Sequence, residues 1–226
     1  MNTVKLDSRL AAAAAYIRPG SEVADVGCDH GYLAAFLVQT GRARRVYASD
    51  INEKPLHSAQ ETVLLYGVED RVETVLSDGL RQIPHTVEDI VIAGMGGELI
   101  IEILDAAPWV FAPDKRLVLQ PMSFAEKLRA HLYSRGMEIC SETPVIDGRH
   151  TYCVLCAEYT GCARSLSEYE SVVGRLPELD SPLAREYLRR QHRKYQRILD
   201  GLMQSKNKDD LPRYQQLVRK LEQWKG

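Results

Sequence analysis

The sequence predicts an α/β protein: a mostly parallel sheet with helices on both faces, closed by one antiparallel strand and followed by a helical hairpin. Three observations carry this. First, strand-like segments at 22–26, 45–49, 71–76, 89–93 and 116–120 alternate with helical patterns at 31–40, 53–66, 97–106 and 123–134. Second, Ile90-Val-Ile-Ala93 and Leu117-Val-Leu119 are unbroken apolar runs, as central parallel strands buried on both faces require. Third, the last two strand candidates, 138–145 and 151–158, are joined only by a short Asp147-Gly148 turn, which makes them a hairpin and the final strand antiparallel.

After residue 160 the strand patterns stop, and helical patterns cover 182–204 and 209–224. On the first, Ala184, Leu188, Tyr195, Ile198 and Leu202 recur at heptad-like spacing; on the second, Tyr214, Leu217, Leu221 and Trp224 do the same. A short polar link at 205–209 folds them into an antiparallel, coiled-coil-like hairpin. Two parts are therefore expected: a sheet domain, 1–160, and a helical module, 161–226.

Their charges differ. Residues 161–226 hold 14 Lys or Arg against 9 Asp or Glu, whereas residues 1–160 hold 15 against 22. Arg185, Arg189, Arg193 and Arg197, with Arg190 and Lys194 beside them, keep to one broad helix face. One reading is a solvated face partly paired with Glu186 and Asp200. The other, favoured by an acidic domain joined to a basic arm, is contact with nucleic acid.

At 226 residues, 45% apolar and 27% charged, the composition is that of a globular protein with ample length for a core. No apolar run reaches membrane-spanning length and no basic-then-apolar leader is present, so a cytoplasmic protein is expected. The cysteines (28, 140, 153, 156 and 162) are odd in number and scattered. Cys153 and Cys156 have the spacing of half a zinc site, but on a strand such positions face opposite ways and no second pair follows. No metal is expected; buried free thiols are.

The chemistry concentrates in Asp25-Val-Gly-Cys-Asp-His-Gly31. The first strand runs into a glycine turn that opens a helix, and the second strand ends in Asp50, which is the layout of a nucleotide-type cofactor pocket. A diphosphate needs bare backbone at this turn, yet Asp29 lies between Gly27 and Gly31. Its carboxylate would repel a diphosphate by on the order of 1 kcal/mol. S-adenosylmethionine has no phosphate and carries two cationic groups, for which Asp25 and Asp29 are favourable. Asp50, with Ile51 and Asn52 after it, suits the ribose, and Asp78-Gly79 the adenine edge. Cys28 belongs to the same turn. Ala93-Gly94-Met-Gly-Gly97 follows the fourth strand. Ala93, Gly94 and Met95 are expected against the donor, and Gly96 and Gly97 form a wall approaching a flat substrate. Gln120-Pro121 faces the same opening. Seven strands ending in a hairpin are the layout of Rossmann-like class I methyltransferases; the ordinary dinucleotide fold lacks that hairpin.

Leu6 with Ser8-Arg-Leu10, Asp25-Val-Gly-Cys-Asp-His30, Ile92-Ala-Gly-Met-Gly-Gly97, Leu119-Gln-Pro121 and the basic helical end resemble the TrmK family, bacterial tRNA (adenine-N1)-methyltransferases acting on adenine 22 of the D-arm. The resemblance covers essentially the whole chain. It implies S-adenosyl-L-methionine as donor, tRNA as partner and a carboxy-terminal helical pair that helps hold tRNA. Two departures are Asp7, where leucine is expected, and Cys28, where serine is common; neither is expected to affect a charge or hydrogen-bond role.

For N1 methylation, Asp29 and His30 are candidates to stabilise the cationic product and take up a proton. Arg9 is the candidate for binding a phosphate or the base, and Tyr152 for stacking on an extruded adenine. Arg185, Arg189, Arg193, Lys194 and Arg197 are the expected tRNA contacts. A monomer is expected because the short link lets the two helices pair within the chain. Competing readings are a methyltransferase of another RNA or a small molecule, and a non-catalytic RNA-binding protein that keeps the fold. Gly94-Met-Gly-Gly97 in place of an amide-holding Asn-Pro-Pro-Tyr disfavours a protein- or base-amide enzyme, and the intact cofactor turn disfavours loss of catalysis.

Overall fold

A computed structural model describes residues 3–148, 150–205 and 207–223. In chain order the elements are α1 (Ser8–Ala15), β1 (Ser21–Val26), α2 (Tyr32–Gln39), β2 (Ala43–Asp50), α3 (Glu53–Tyr66), β3 (Val72–Leu76), β4 (Asp89–Gly96) and α4 (Gly97–Asp105). Then follow β5 (Arg116–Ser123), α5 (Ala125–Ser134), β6 (Met137–Asp147), β7 (His150–Tyr159), α6 (Glu168–Val173), α7 (Pro182–Gln204) and α8 (Leu211–Gln223).

The seven strands form one sheet in the order β3-β2-β1-β4-β5-β7-β6. Strands β1 to β5 pair in parallel, and β7 inserts between β5 and β6, antiparallel to both. This is the methyltransferase arrangement expected from the hairpin. Alternation along each central strand feeds two cores. Ile90, Ile92, Leu117, Leu119 and Leu155 join the cluster on one face, while Val91, Val118 and Val154 join that on the other. Chain order reverses between β1 and β4, which opens a crevice at the carboxyl ends of those strands.

Three features differ from the sequence reading. Strand β4 does not stop at Ala93: Met95 and Gly96 still pair with β5, across register shifts at both. Gly94, at φ +78°, supplies the positive φ that this irregular stretch needs. Helix α5 starts two residues later than expected because Phe124 is left-handed at φ +53°. Helix α6 was not anticipated, although Ser167 and Glu170 cap it reciprocally. Trp224 lies outside the described residues, as does Lys206 of the inter-helix link.

The helical hairpin forms as expected, with Tyr195 and Tyr214 stacked 6.1 Å apart. Its core does not stand apart from the sheet's: Ala184, Leu188, Leu199, Leu217 and Leu221 belong to the same apolar cluster as Ile92 and Leu119. A buried ion pair pins this junction. Arg129 Nε donates to Glu142 at 2.7 Å, and its Nη1 donates to the carbonyls of Ser171 and Val172 on α6. No helix among the described residues is long and apolar enough to cross a membrane.

Candidate active site

The turn after β1 is shaped by three left-handed residues, Gly27 (φ +74°), Asp29 (φ +49°) and Gly31 (φ +69°). The amides of Gly27 and Cys28 donate to the Ser49 carbonyl at 2.8 and 2.9 Å, which ties the turn to the end of β2. A side chain at Gly27 would collide with the Met95 methyl, so Met95 roofs the turn from β4. At Gly31 a Cβ would sit 3.0 Å from that of Ala59, so this glycine lets the start of α2 pack closely on α3.

These elements enclose a cavity of about 440 Å³, lined by Arg9, Asp25, Gly27, Cys28, Asp29, His30, Asp50, Asn52, Ala93, Gly94 and Met95 among others. That volume suits a ligand of nucleoside size. All of these were sequence candidates; Leu10, Tyr32, Leu33 and Pro55 also line it and were not. Tyr32 could have been anticipated as the first helical residue beyond the glycine turn.

Asp25 is the buried carboxyl of the cavity. Burial pushes its carboxyl up to about 7, against a downward pull from the Ala34 amide that donates to it. Its Oδ2 has no hydrogen-bond partner among the described residues. A buried carboxylate oxygen without a donor is a place for a cationic group. Cys28 is pushed up by burial and then by Asp25 and Asp50, so its thiol is a neutral wall of the cavity. Asp50 Oδ1 accepts from the Asn52 amide at 2.9 Å. Asp29 and His30 stand at the mouth, 72% and 54% exposed, with His30 Nε2 3.7 Å from Asp29 Oδ2.

Arg9 reaches the opposite edge from α1. It is held by Asp7 at 2.9 Å and Asp147 at 3.4 Å, with Nη1 3.4 Å from Gln120 Oε1 and its guanidinium carbon 6.0 Å from the Tyr152 ring. Asp7 therefore does have a charge role, contrary to the expectation: it caps α1 through the Arg9 and Leu10 amides and clasps Arg9. Gln120 is fully buried and also accepts from the Gly94 amide at 3.0 Å, so it braces the cavity wall and Arg9 from behind. Pro121 and Tyr152 line an adjoining cavity of about 100 Å³, together with Met122, Phe124, Gln191 and Lys194.

Several candidates lie elsewhere. A Cβ at Gly97 would come within 2.7 Å of the Ser123 and Phe124 carbonyls, and one at Gly96 within 3.3 Å of Ser123 Oγ. At Gly97 a close approach is made by the backbone before α5, and at Gly96 by the Ser123 side chain. Ile51 is exposed outside the cavity; Asp78 pairs with Arg81 at 3.0 Å, and Gly79 packs on Ile103. On α7, Glu186 gathers Arg189, Arg190 and Arg193, Arg185 pairs with Asp180, and Lys194 lies 3.5 Å from Glu126; Arg197 is exposed. Three guanidiniums around one carboxylate leave that face positive. The two faces are continuous: Lys194 borders the cavity that holds Tyr152.

The acids of the main cavity fit a cationic methyl donor. Asp25, Asp29 and Asp50 line it, and the only Lys or Arg among its described lining residues, Arg9, stands at one edge. A diphosphate would meet net negative charge.

The comparisons with known proteins agree. A family model described as a methyltransferase domain matches residues 6–155. The tRNA (adenine(22)-N(1))-methyltransferase of Bacillus subtilis is 36% identical over 159 residues, spanning 70% of this chain and 67% of that protein. The solved B. subtilis tRNA methyltransferase TrmK superposes with a TM-score of 0.84 at 28% identity, covering 98% of this chain and 97% of that one. A Streptococcus pneumoniae protein solved in complex with S-adenosyl-L-methionine gives a TM-score of 0.82 at 28% identity, covering 96% and 99%. The chain belongs to the TrmK family of tRNA (adenine(22)-N(1))-methyltransferases.

Proposed function

We propose that this chain methylates N1 of adenine 22 in the D-arm of tRNA, using S-adenosyl-L-methionine. One observation carries the reading: the acidic cavity with the unpartnered Asp25 oxygen opens beside Arg9 and Tyr152, next to the cationic face of α7. When bound, the donor supplies an electrophilic methyl group on a sulfonium.

The chain's own residues then have distinct tasks. Asp25 receives the donor's ammonium, and Asp50 with Asn52 receives the ribose hydroxyls. Met95 and Gly27 close the wall of the cavity against water. Adenine N1 has an in-plane lone pair and needs no prior deprotonation, so alignment of the base does most of the work. Arg9, oriented by Asp7, Asp147 and Gln120, fixes a phosphate or the base, and Tyr152 stacks on the extruded ring. The methylated ring is cationic. Asp29 stabilises that charge and His30 takes up the proton released from N6. Arg185, Arg189, Arg193, Lys194 and Arg197 hold the tRNA backbone, which makes residues 161–226 the RNA-contacting part. The apolar faces of α7 and α8 close within the chain, which supports a monomer.

The test is transfer of labelled methyl to unmodified tRNA, followed by digestion to nucleosides. Label in 1-methyladenosine, lost when adenine 22 is replaced by guanine, is the expected result. Transfer to another nucleoside, or to no tRNA at all, overturns the proposal.

A further inference from the structure

Strand β7 carries two thiols, Cys153 and Cys156, that methyl transfer does not use. Cys153 is buried against Glu142, with Sγ 3.7 Å from Oε2. Cys156 faces a different partner. The pairing of β6 with β7 slips between Ile139 and Ser141, so Cys140 is the extra residue of a bulge opposite Cys156. A bulge re-aims the side chain that it adds. Here it brings Cys140 Sγ to 3.5 Å from Cys156 Sγ and 3.2 Å from the Cys156 carbonyl. Cys140 is exposed and Cys156 buried, so a reagent in solvent meets the first sulfur and the second waits behind it.

We infer that Cys140 and Cys156 form a reversible dithiol–disulfide site oxidised by hydroperoxides. The Cys140 thiolate attacks the terminal oxygen of the hydroperoxide; the O–O bond breaks, giving a sulfenic acid on Cys140 and an alkoxide, or hydroxide from hydrogen peroxide, that is protonated to an alcohol or water. Cys156 sulfur then attacks the sulfenic sulfur. The S–S bond forms, the S–O bond breaks, and the departing hydroxide leaves as water with the Cys156 proton. Two electrons pass from the thiols to one peroxide, and a dithiol reductant reverses the change.

The surroundings favour Cys140 as the attacking sulfur. The hydrogen-bonded contact between the two sulfurs holds the Cys140 thiol down at about 7 against burial; the same contact and burial push Cys156 up. Only the thiolate is the nucleophile, so the exposed sulfur with the lowered pKa attacks and the buried one resolves.

The experiment treats the full chain with one equivalent of hydrogen peroxide, alkylates the remaining thiols and maps the peptides by mass spectrometry. The expected product links Cys140 to Cys156 with loss of two hydrogens, leaves the exposed Cys162 alkylated, and reverts in dithiothreitol. Cys156→Ser should stop at a sulfenic acid on Cys140, trapped by dimedone. Its unchanged S-adenosylmethionine affinity would show that the fold is intact, since the pair lies at the far end of the hairpin from Asp147 and Tyr152. Oxidation of Cys162 ahead of Cys140, or linkage of Cys140 only to other molecules, overturns the inference.

Discussion

With Asp25 receiving the donor's ammonium, as proposed, its buried carboxyl should couple donor binding to pH. Its ordinary pKa of 3.8 is raised to about 7 by burial, so below neutrality the apo protein holds it largely protonated. Only the carboxylate attracts an ammonium, so binding must expel that proton. Between pH 5.5 and pH 7 the ionised fraction climbs from about 0.03 to about 0.5, and affinity for S-adenosylmethionine should climb about fifteenfold. That window lies below the titration of the donor's own α-amino group, near 7.7–8. Calorimetry at pH 6 in two buffers of different ionisation enthalpy should show about 0.9 proton released per donor bound. Asp25→Asn should bind weakly and without this slope. The linkage also predicts stability. A raised carboxyl pKa contributes stability fully below pH 3.8, and that contribution is lost as pH rises through about 7. The rise from 3.8 to about 7 corresponds to about 4 kcal/mol at most, so apo Asp25→Asn should melt higher than the parent at pH 8. Donor affinity in the parent that is flat from pH 5.5 to 7 would refute this reasoning.

Other consequences are separable. Arg129→Ala strands Glu142 and two α6 carbonyls in the core; a loss of about 3–5 kcal/mol is expected in urea unfolding, and a loss under 1 kcal/mol would contradict the junction role. Gly97→Ala places a methyl within 2.7 Å of two backbone carbonyls and should destabilise by about 1–3 kcal/mol. If instead only tRNA KM changes, the glycine serves the substrate after all. Replacing Arg189, Arg193 and Arg197 together with Ala should weaken tRNA binding and flatten its salt dependence while S-adenosylmethionine affinity holds. Equal tRNA affinity at every salt concentration would make α7 purely structural.

Much of this was legible because it is local. Period-2 and period-3.6 patterns placed every strand and set α3 and α7 at their observed bounds. The glycine turn and the acids at strand ends marked the cavity because parallel strands deliver their carboxyl ends to one edge. Helix α6 was missed because six residues are too few for a periodic signal, although its capping pair was visible. Gly96 and Gly97 show a different limit. A glycine announces a close approach but not what approaches: here the Ser123 hydroxyl stands by Gly96 and the Ser123 and Phe124 carbonyls by Gly97.

The sequence by itself determined the sheet, the cofactor turn with Asp29 between its glycines, and the basic face of α7, since each follows from neighbours along the chain. Only the tertiary structure decided the rest. It left Asp25 buried with an oxygen free, brought Arg9 against Asp147 and Gln120 more than a hundred residues away, and turned the β6 bulge so that Cys140 meets Cys156. Burial and long-range contact set those properties, and neither is a function of sequence spacing.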